Sequence, residues 1–451
     1  MLSRSGVLCA WLEALPALEW EARRGASQEA HERELTALVL RADAQLLLYN
    51  LFCLEAQHLA EARHVPSVAL APYAMPHAMP AGLIAWLHDA APERAAALAC
   101  AAPGGGACWC SMVLWQYPLL NAARWQRLRA ALALPPLTPL SPAPRLLFGM
   151  SAALLPGEGG GSLAAQLARL CPRAARQVHI TGSWHEARAG GVVPTPAPRA
   201  APAVPLVAAT WGSMVSLGAV GPDEELPRIL RILHDAAERA GVRVVVLVPS
   251  GLPGGMGAVV LAGGGSVEVW RRPAAAAARA DDGSDAGSEG WGEFAAWAWA
   301  LPRDGSVAAP PPPGISFRAA PLALLAGDIP HAALLPHCDA VLHHGGAGTT
   351  AAVARAGVPH VCMPIIFDQP LWGHAVARAG VAPAPRPLWG ILDAPHDEAV
   401  AVLAGDLAAA VDPAGPLRAA ATALAAGLAA EADGAGAAAV LALEHVQGWG
   451  I

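Results

Sequence analysis

Aromatic residues make up only 5% of this 451-residue chain, and charged residues only 14%. The charge that is present leans acidic, with a formal net charge of −7. The sequence therefore lacks the basic footprint of a nucleic-acid binder. Paired cysteine motifs are also missing. The cysteines are Cys9, Cys53, Cys100, Cys108, Cys110, Cys171, Cys338 and Cys362. Only Cys108 and Cys110 are close, and one C-x-C without a second pair is a weak metal signature. They read as reduced thiols in a cytoplasmic protein. No cluster of acidic residues offers itself to a divalent cation, so no metal is expected. The N-terminus does not read as a signal peptide, because Glu13, Glu19 and Glu21 break its short apolar patches. Residues 95–123 carry no charge, but Pro103-Gly104-Gly105-Gly106 interrupts them and Gln116, Pro118 and Asn121 follow. That run reads as a buried or membrane-apposed helix rather than a span.

What the chain has in quantity is alanine, with 46 glycines and 42 prolines. Its length suits two α/β domains, each with its own core. In the first, residues 44–49 read as a buried strand, Glu55 to Arg63 as a helix and Ser67 to Ala71 as the next strand. That βαβ unit predicts a parallel sheet. Leu146–Phe148 and Val178–Ile180 read as further strands. The expected boundaries are 1–184 for the first domain, 185–203 for a Pro/Gly/Ala linker, 204–430 for the second domain and 431–451 for a C-terminal helix. Within the second domain, Val204–Trp211 reads as a strand, then a helix runs to about Ala240 with Gly241 as its stop. Residues 274–313 read as a disordered insertion, from their Ala run, acidic Gly/Ser stretch and four consecutive prolines. Two such domains put a ligand at strand C-termini facing an interdomain cleft.

The most informative stretch is His343-His344-Gly345-Gly346-Ala347-Gly348-Thr349-Thr350, where an apolar strand (Asp339-Ala340-Val341-Leu342) turns into an Ala-rich helix. Glycines there let the backbone approach a ligand, and the amides of the helix's first turn favour an anion such as a diphosphate. Farther on, Asp368-Gln369 offers carboxylate and carboxamide groups that suit sugar hydroxyls. Together they suggest a nucleotide-sugar site.

These residues resemble the donor-site signature of UDP-glycosyltransferases, in the flavour of the sterol 3-β-glucosyltransferases and their bacterial antibiotic-glycosylating relatives. The resemblance rests on Gly345–Thr350, Arg355-Ala356-Gly357-Val358-Pro359 and Asp368-Gln369-Pro370-Leu371-Trp372-Gly373. Other stretches agree in order: His58-Leu59-Ala60-Glu61, Val65-Pro66, Val178–Trp184, Gly212-Ser213-Met214-Val215, Ile329-Pro330-His331 and Glu431-Ala432-Asp433-Gly434. It implies a GT-B fold of two Rossmann-like domains and inverting transfer to a hydroxyl, with UDP-sugar as co-substrate and no cofactor or metal. By position, it implies that His344 meets a donor phosphate and that Gly346, Ala347, Gly348, Thr349 and Thr350 cradle the diphosphate. Ser213 would line the diphosphate, His331 would sit by the uracil, and Asp368 and Gln369 would hold the hexose, glucose by this resemblance. The implied partners are a nucleotide sugar and a hydrophobic hydroxyl acceptor, with peripheral membrane contact and no nucleic acid.

Two departures qualify the resemblance. Nothing in residues 1–40 matches the family's opening strand and Gly-rich loop, so the first domain is expected to be N-terminally truncated. A catalytically impaired, glycosyltransferase-like binding protein is therefore the alternative function. Ala332-Ala333-Leu334-Leu335 also replaces the family's usual Asp-Trp-Leu-Phe, which would loosen packing near the base.

Each candidate has a plainer reading. His343 and His344 could be strand-end histidines with structural hydrogen bonds, Asp368-Gln369 a helix cap, Ser213 an N-cap or loop residue, and His331 a turn residue. Trp86, Trp109, Trp115, Tyr117 and Trp125 are either core or a wall for a lipid acceptor. A base must take the acceptor's proton. His58, His77, His88 and Asp89 are available, none singled out by a motif, so the catalytic residue is unassigned.

Overall fold

The computed structural model describes residues 37, 44–50, 53, 55–71, 122–136, 145–151, 153–154, 178–184, 204–215, 219–221, 224–248, 258–260, 266–271, 297–298, 321–327, 329–366 and 368–448. The linker 185–203, the aromatic residues from Trp86 to Tyr117, and His77, His88 and Asp89 lie outside the described residues.

The chain divides into two compact units. One comprises residues 1–186, 366–371 and 431–451, and the other residues 187–365 and 372–430. In the first, β1 (Leu47–Asn50), β2 (Ser67–Ala71), β3 (Arg145–Phe148) and β4 (Val178–Ile180) form a parallel sheet in that order. Helix α1 (Glu55–Arg63) makes the crossover from β1 to β2. It is tied to α2 (Ala122–Ala131) by the buried Arg129, which donates to both oxygens of Glu61 (2.6 and 2.8 Å), to His58 Nδ1 (3.1 Å) and to the Pro135 carbonyl (2.6 Å). Trp125 is buried beside His58, with ring centroids 5.3 Å apart.

The second unit holds a larger sheet, ordered β11-β10-β5-β6-β9-β8-β7 among the described residues. Its strands are β5 (Leu206–Thr210), β6 (Arg243–Val248), β7 (Ala258–Val260), β8 (Ser266–Arg271), β9 (Leu322–Ala326), β10 (Ala340–His343) and β11 (His360–Cys362). All pairs are parallel except β7–β8. Strands β5, β9 and β10 are buried along their whole length. This is why they read as continuous apolar runs rather than alternating ones: helices cover both faces of a parallel sheet. Helix α3 (Glu225–Ala240) buries Leu226, Ile229, Leu230, Leu233 and Ala237, spaced at helical period, and stops at Gly241, which takes the left-handed conformation (φ 67°). A short turn of helix, α4 (His331–Leu334), follows β9. Then come α5 (Ala347–Ala356), α6 (Gln369–Arg378), α7 (Leu388–Asp393), α8 (His396–Val411), α9 (Pro416–Ala429) and α10 (Gly434–Gln447).

One expectation needs correction. Trp297 and Ala298, inside the stretch expected to be a disordered insertion, are helical. Ala298 is fully buried in the core of the second unit, with Trp297 packed against it. Trp297 also meets His337 edge-on at 5.2 Å. Trp297 and Ala298 are apolar residues that the acidic Gly/Ser bias upstream of them does not include. The C-terminal helix is present as α10, and its Ala438 and Ala442 pack on Val68 and Leu147 of the first sheet. Pro416–Gln447 is long and apolar enough by composition to cross a membrane. It forms α9 and α10, separated at 430–433, and α10 covers that sheet.

Candidate functional site

The site begins where β10 ends. In register, His343 sits opposite Thr210 of β5 and Cys362 of β11. The loops leaving these parallel strands therefore emerge at one edge of the sheet. After β10 the chain turns through Gly345 (φ 82°) into Gly346, the N-cap of α5. No side chain caps this helix, and helix geometry gives its first amides no intrahelical acceptor. The first helical bond runs from the Thr350 amide to the Gly346 carbonyl (2.9 Å). Thr350 is fully buried, and its hydroxyl has no hydrogen-bond partner. Of the run Gly346–Thr350, the amides of Ala347, Gly348 and Thr349 thus face the N-terminal end, with Gly348 exposed.

His344 lies in a slot between two glycines. A Cβ added to Gly346 would come within 2.4 Å of its Nε2, and one added to Gly212 within 2.9 Å of its Cε1. Gly212 holds φ 54°, and its amide donates to Thr210 Oγ1 (3.1 Å). Burial lowers the His344 pKa to about 4. A hydrogen bond to the Thr210 carbonyl opposes the shift, and the charge of His331 adds to it. The imidazolium is therefore not the resting state, because the ring is desolvated. At neutral pH it is an uncharged N–H donor whose buried Nδ1 has no partner.

His343 points away from His344 into the sheet and is fully buried. Its Nδ1 accepts from the Gly345 amide (3.0 Å), and its Nε2 lies 2.9 Å from His360 Nδ1 and 3.6 Å from Cys362 Sγ. Burial holds both imidazoles neutral, with His360 at about 3, and pushes the Cys362 thiol up to about 12. Side chains of His343, His360 and Cys362 cluster closely enough to suggest a metal, but their hydrogen bonds do not fit one. A metal on His343 Nε2 would require the proton on Nδ1, where it would face the Gly345 N–H, donor against donor.

The remaining candidates are placed as follows. Ser213 lies in the 3-10 turn Gly212–Met214 directly after β5. His331 opens α4 after β9, half-buried, and its charge disfavours protonation of both His343 and His344. Ser213, His331, His344 and Gly346–Thr350 therefore all follow strands of the second unit at their C-terminal ends. Asp368 and Gln369 belong to residues 366–371, which group with the first unit. Gln369 is buried, and its carboxamide oxygen accepts from the Ile366 amide (3.0 Å). That oxygen closes the loop, so a role toward sugar hydroxyls would fall to the N–H₂ group and to Asp368. Of the candidate bases, His58 is buried and accepts from Arg129.

Sequence reasoning missed Trp211, His360 and Cys362. Trp211 is buried at the end of β5 with its indole N–H unpartnered. His360 and Cys362 are unremarked members of a short apolar strand, and only tertiary pairing shows that they face His343.

With this geometry in place, residues 317–441 match the family model described as erythromycin biosynthesis protein CIII-like, C-terminal domain. A sterol 3-beta-glucosyltransferase of Arabidopsis thaliana is 50% identical over 64 residues, which is 14% of this chain and 10% of that protein. An O-mycaminosyltylonolide 6-deoxyallosyltransferase of Streptomyces fradiae is 51% identical over 55 residues, 12% of this chain and 13% of that protein. The chain thus matches only about a tenth of the length of these curated relatives. Its C-terminal part is thus similar to glycosyltransferases. The chain has two α/β units, one with a parallel sheet and one with a mostly parallel sheet. Among solved structures, the glycosyltransferase of kitacinnamycin is 16% identical with a TM-score of 0.49, covering 91% of this chain and 79% of that one.

Proposed function

We propose that this UDP-glycosyltransferase-like chain transfers a hexose, glucose in the first instance, from a UDP-sugar to a hydroxyl of a sterol or another hydrophobic acceptor, with inversion and without a metal. The observation that carries this reading is the uncapped N-terminus of α5, set beside a buried imidazole that two glycines hold in place. In the transfer, the acceptor oxygen attacks the anomeric carbon and the bond to the β-phosphate oxygen breaks. The acceptor's proton passes to a base that remains unassigned. Charge then grows on the diphosphate. The amides of Ala347, Gly348 and Thr349 would meet it without reorganising, with the His344 ring wedged against Gly346 behind them, and one such donor is worth about 2.7–4 kcal/mol in comparable oxyanion sites. These three fixed donors would supply what a divalent cation supplies elsewhere. Asp368 would orient the sugar hydroxyls. A cytoplasmic location with peripheral membrane contact suits a hydrophobic acceptor.

The test is incubation of the chain with UDP-glucose and a panel of sterols and other apolar alcohols, with mass spectrometry of the products. The proposal expects a hexose adduct on at least one acceptor, formed without added metal and greatly reduced by Asp368→Ala. UDP-glucose binding with no adduct on any acceptor would support a binding protein without turnover instead.

A further inference from the structure

The buried imidazole pair beneath the phosphate-facing turn has a direction. An amide N–H can only donate, so the bond from Gly345 N–H to His343 Nδ1 (3.0 Å) makes that nitrogen the acceptor. The neutral ring must then carry its proton on Nε2. That proton points at His360 Nδ1, 2.9 Å away, which becomes the second acceptor. The proton of His360 is left on Nε2, which is buried and has no partner. The strand end keeps an unpartnered buried N–H on the far ring, and the near ring is thereby fixed in one tautomer. Buried polar groups without partners are uncommon enough to require a reason.

We propose that His360 is a positioning residue for the donor-binding turn: by accepting from His343 it fixes the His343 tautomer, which in turn holds the Gly345 amide inward. This rests on the donor-site reading above. With Gly345 N–H held to the sheet and φ at 82°, the chain delivers Gly346 to the N-cap and leaves the amides of Ala347, Gly348 and Thr349 facing outward. The other tautomer would set two N–H groups against each other at Gly345 and reorganise the turn. Cys362 is the competing acceptor, but its sulfur is 3.6 Å from Nε2 and is a protonated thiol, a weak acceptor. The Met363 amide also donates to the His343 carbonyl (2.8 Å). The β10–β11 pairing therefore persists when the ring contact is removed, and a variant at His360 tests orientation rather than folding.

The experiment uses the full chain with His360→Asn, His360→Leu and Cys362→Ala. Asparagine places its oxygen where Nδ1 stood and still accepts; leucine cannot. Three quantities are read: the His343 tautomer from long-range ¹H–¹⁵N correlations on histidine-labelled, ligand-free protein; the UDP dissociation constant; and the melting temperature. The expected result is an Nε2–H tautomer in the wild type and in His360→Asn, with UDP affinity within about twofold. His360→Leu should lose the fixed tautomer and bind UDP about tenfold more weakly while still melting cooperatively, and Cys362→Ala should bind as the wild type does. An Nδ1–H tautomer in the wild type would overturn the proposal. So would wild-type affinity in His360→Leu, or Asn and Leu behaving alike. If the leucine variant does not fold, His360→Gln takes its place: its amide reaches the Nε2 position instead, so it should weaken UDP binding where Asn does not, and equal behaviour of the two overturns the proposal. Failure of the wild type to bind UDP counts against the donor-site reading, whereas the tautomer in ligand-free protein judges the relay separately.

Discussion

At neutral pH His344 is an uncharged ring between Gly212 and Gly346, and His343 and His360 are uncharged rings inside the sheet. All three lie below the ordinary histidine pKa for the same leading reason, loss of water around the charged form. In the unfolded chain each titrates near about 6.5. Above that pH both states are neutral, and these groups add nothing to the pH dependence of stability. As pH falls below it, the unfolded chain takes up protons that the folded chain refuses. Stability should therefore decline on acidification, by up to about 1.4 kcal/mol per pH unit for each ring, until the folded pKa is reached near 4 for His344 and near 3 for His360. Urea midpoints measured from pH 7.5 to 4.5 check this, and His360→Asn should flatten the slope. A midpoint that stays level or rises on acidification would show that the rings are not held neutral. A second consequence concerns the slot. Gly346→Ala would drive a methyl group into the His344 ring. The ring is a side-chain end and can move, so the cost should fall on ligand binding more than on folding. UDP affinity should drop about tenfold with little change in melting temperature.

Individual elements were legible where a local rule decided them. The end of α3 followed from Gly241, which supplies the left-handed cap, and α1, β2 and β4 have the limits that their apolar patterns indicate. The strand–glycine–helix passage from β10 to α5 was legible for the same reason, since only a close backbone turn needs that run of glycines. What could not be read was pairing at a distance. His343 and His360 are 17 positions apart and meet only because β10 and β11 are neighbours. Nor could the sequence show that the Gln369 carboxamide oxygen closes the Ile366 loop. Glu431-Ala432-Asp433-Gly434 stood out by resemblance without an evident task. In the fold, Glu431 accepts from Ser151 Oγ (2.6 Å), Asp433 caps α10, and Gly434 lies against the Gly182 backbone, where an added Cβ would come within 2.5 Å. Gly434→Val should accordingly lower the melting temperature by several degrees, as expected for a change costing about 1–3 kcal/mol. Thermal unfolding followed by circular dichroism measures it, and an unchanged midpoint would mean that the backbone contact is not needed.

At the scale of the molecule, the first unit is completed by the last residues of the chain. Helix α10 covers Val68 and Leu147, and Arg145 donates to the Leu441 carbonyl (3.1 Å). A chain ending at Ala430 should therefore unfold at lower temperature and be cleaved faster by protease within the first sheet than within the second. Equal protection of both sheets would argue against that role for the helix. The residues proposed to meet the donor's base and diphosphate, by contrast, lie in the second unit, at the C-terminal ends of β5, β9 and β10. Calorimetric titration of the intact chain with UDP, set beside uridine and beside His344→Ala, probes that recognition most directly. A diphosphate gripped by the α5 amides, in a turn that the His344 ring braces at Gly346, predicts that UDP binds, that uridine binds at least about tenfold more weakly, and that His344→Ala loses about tenfold in UDP affinity. Equal binding of UDP and uridine, or full UDP affinity in His344→Ala, would contradict it.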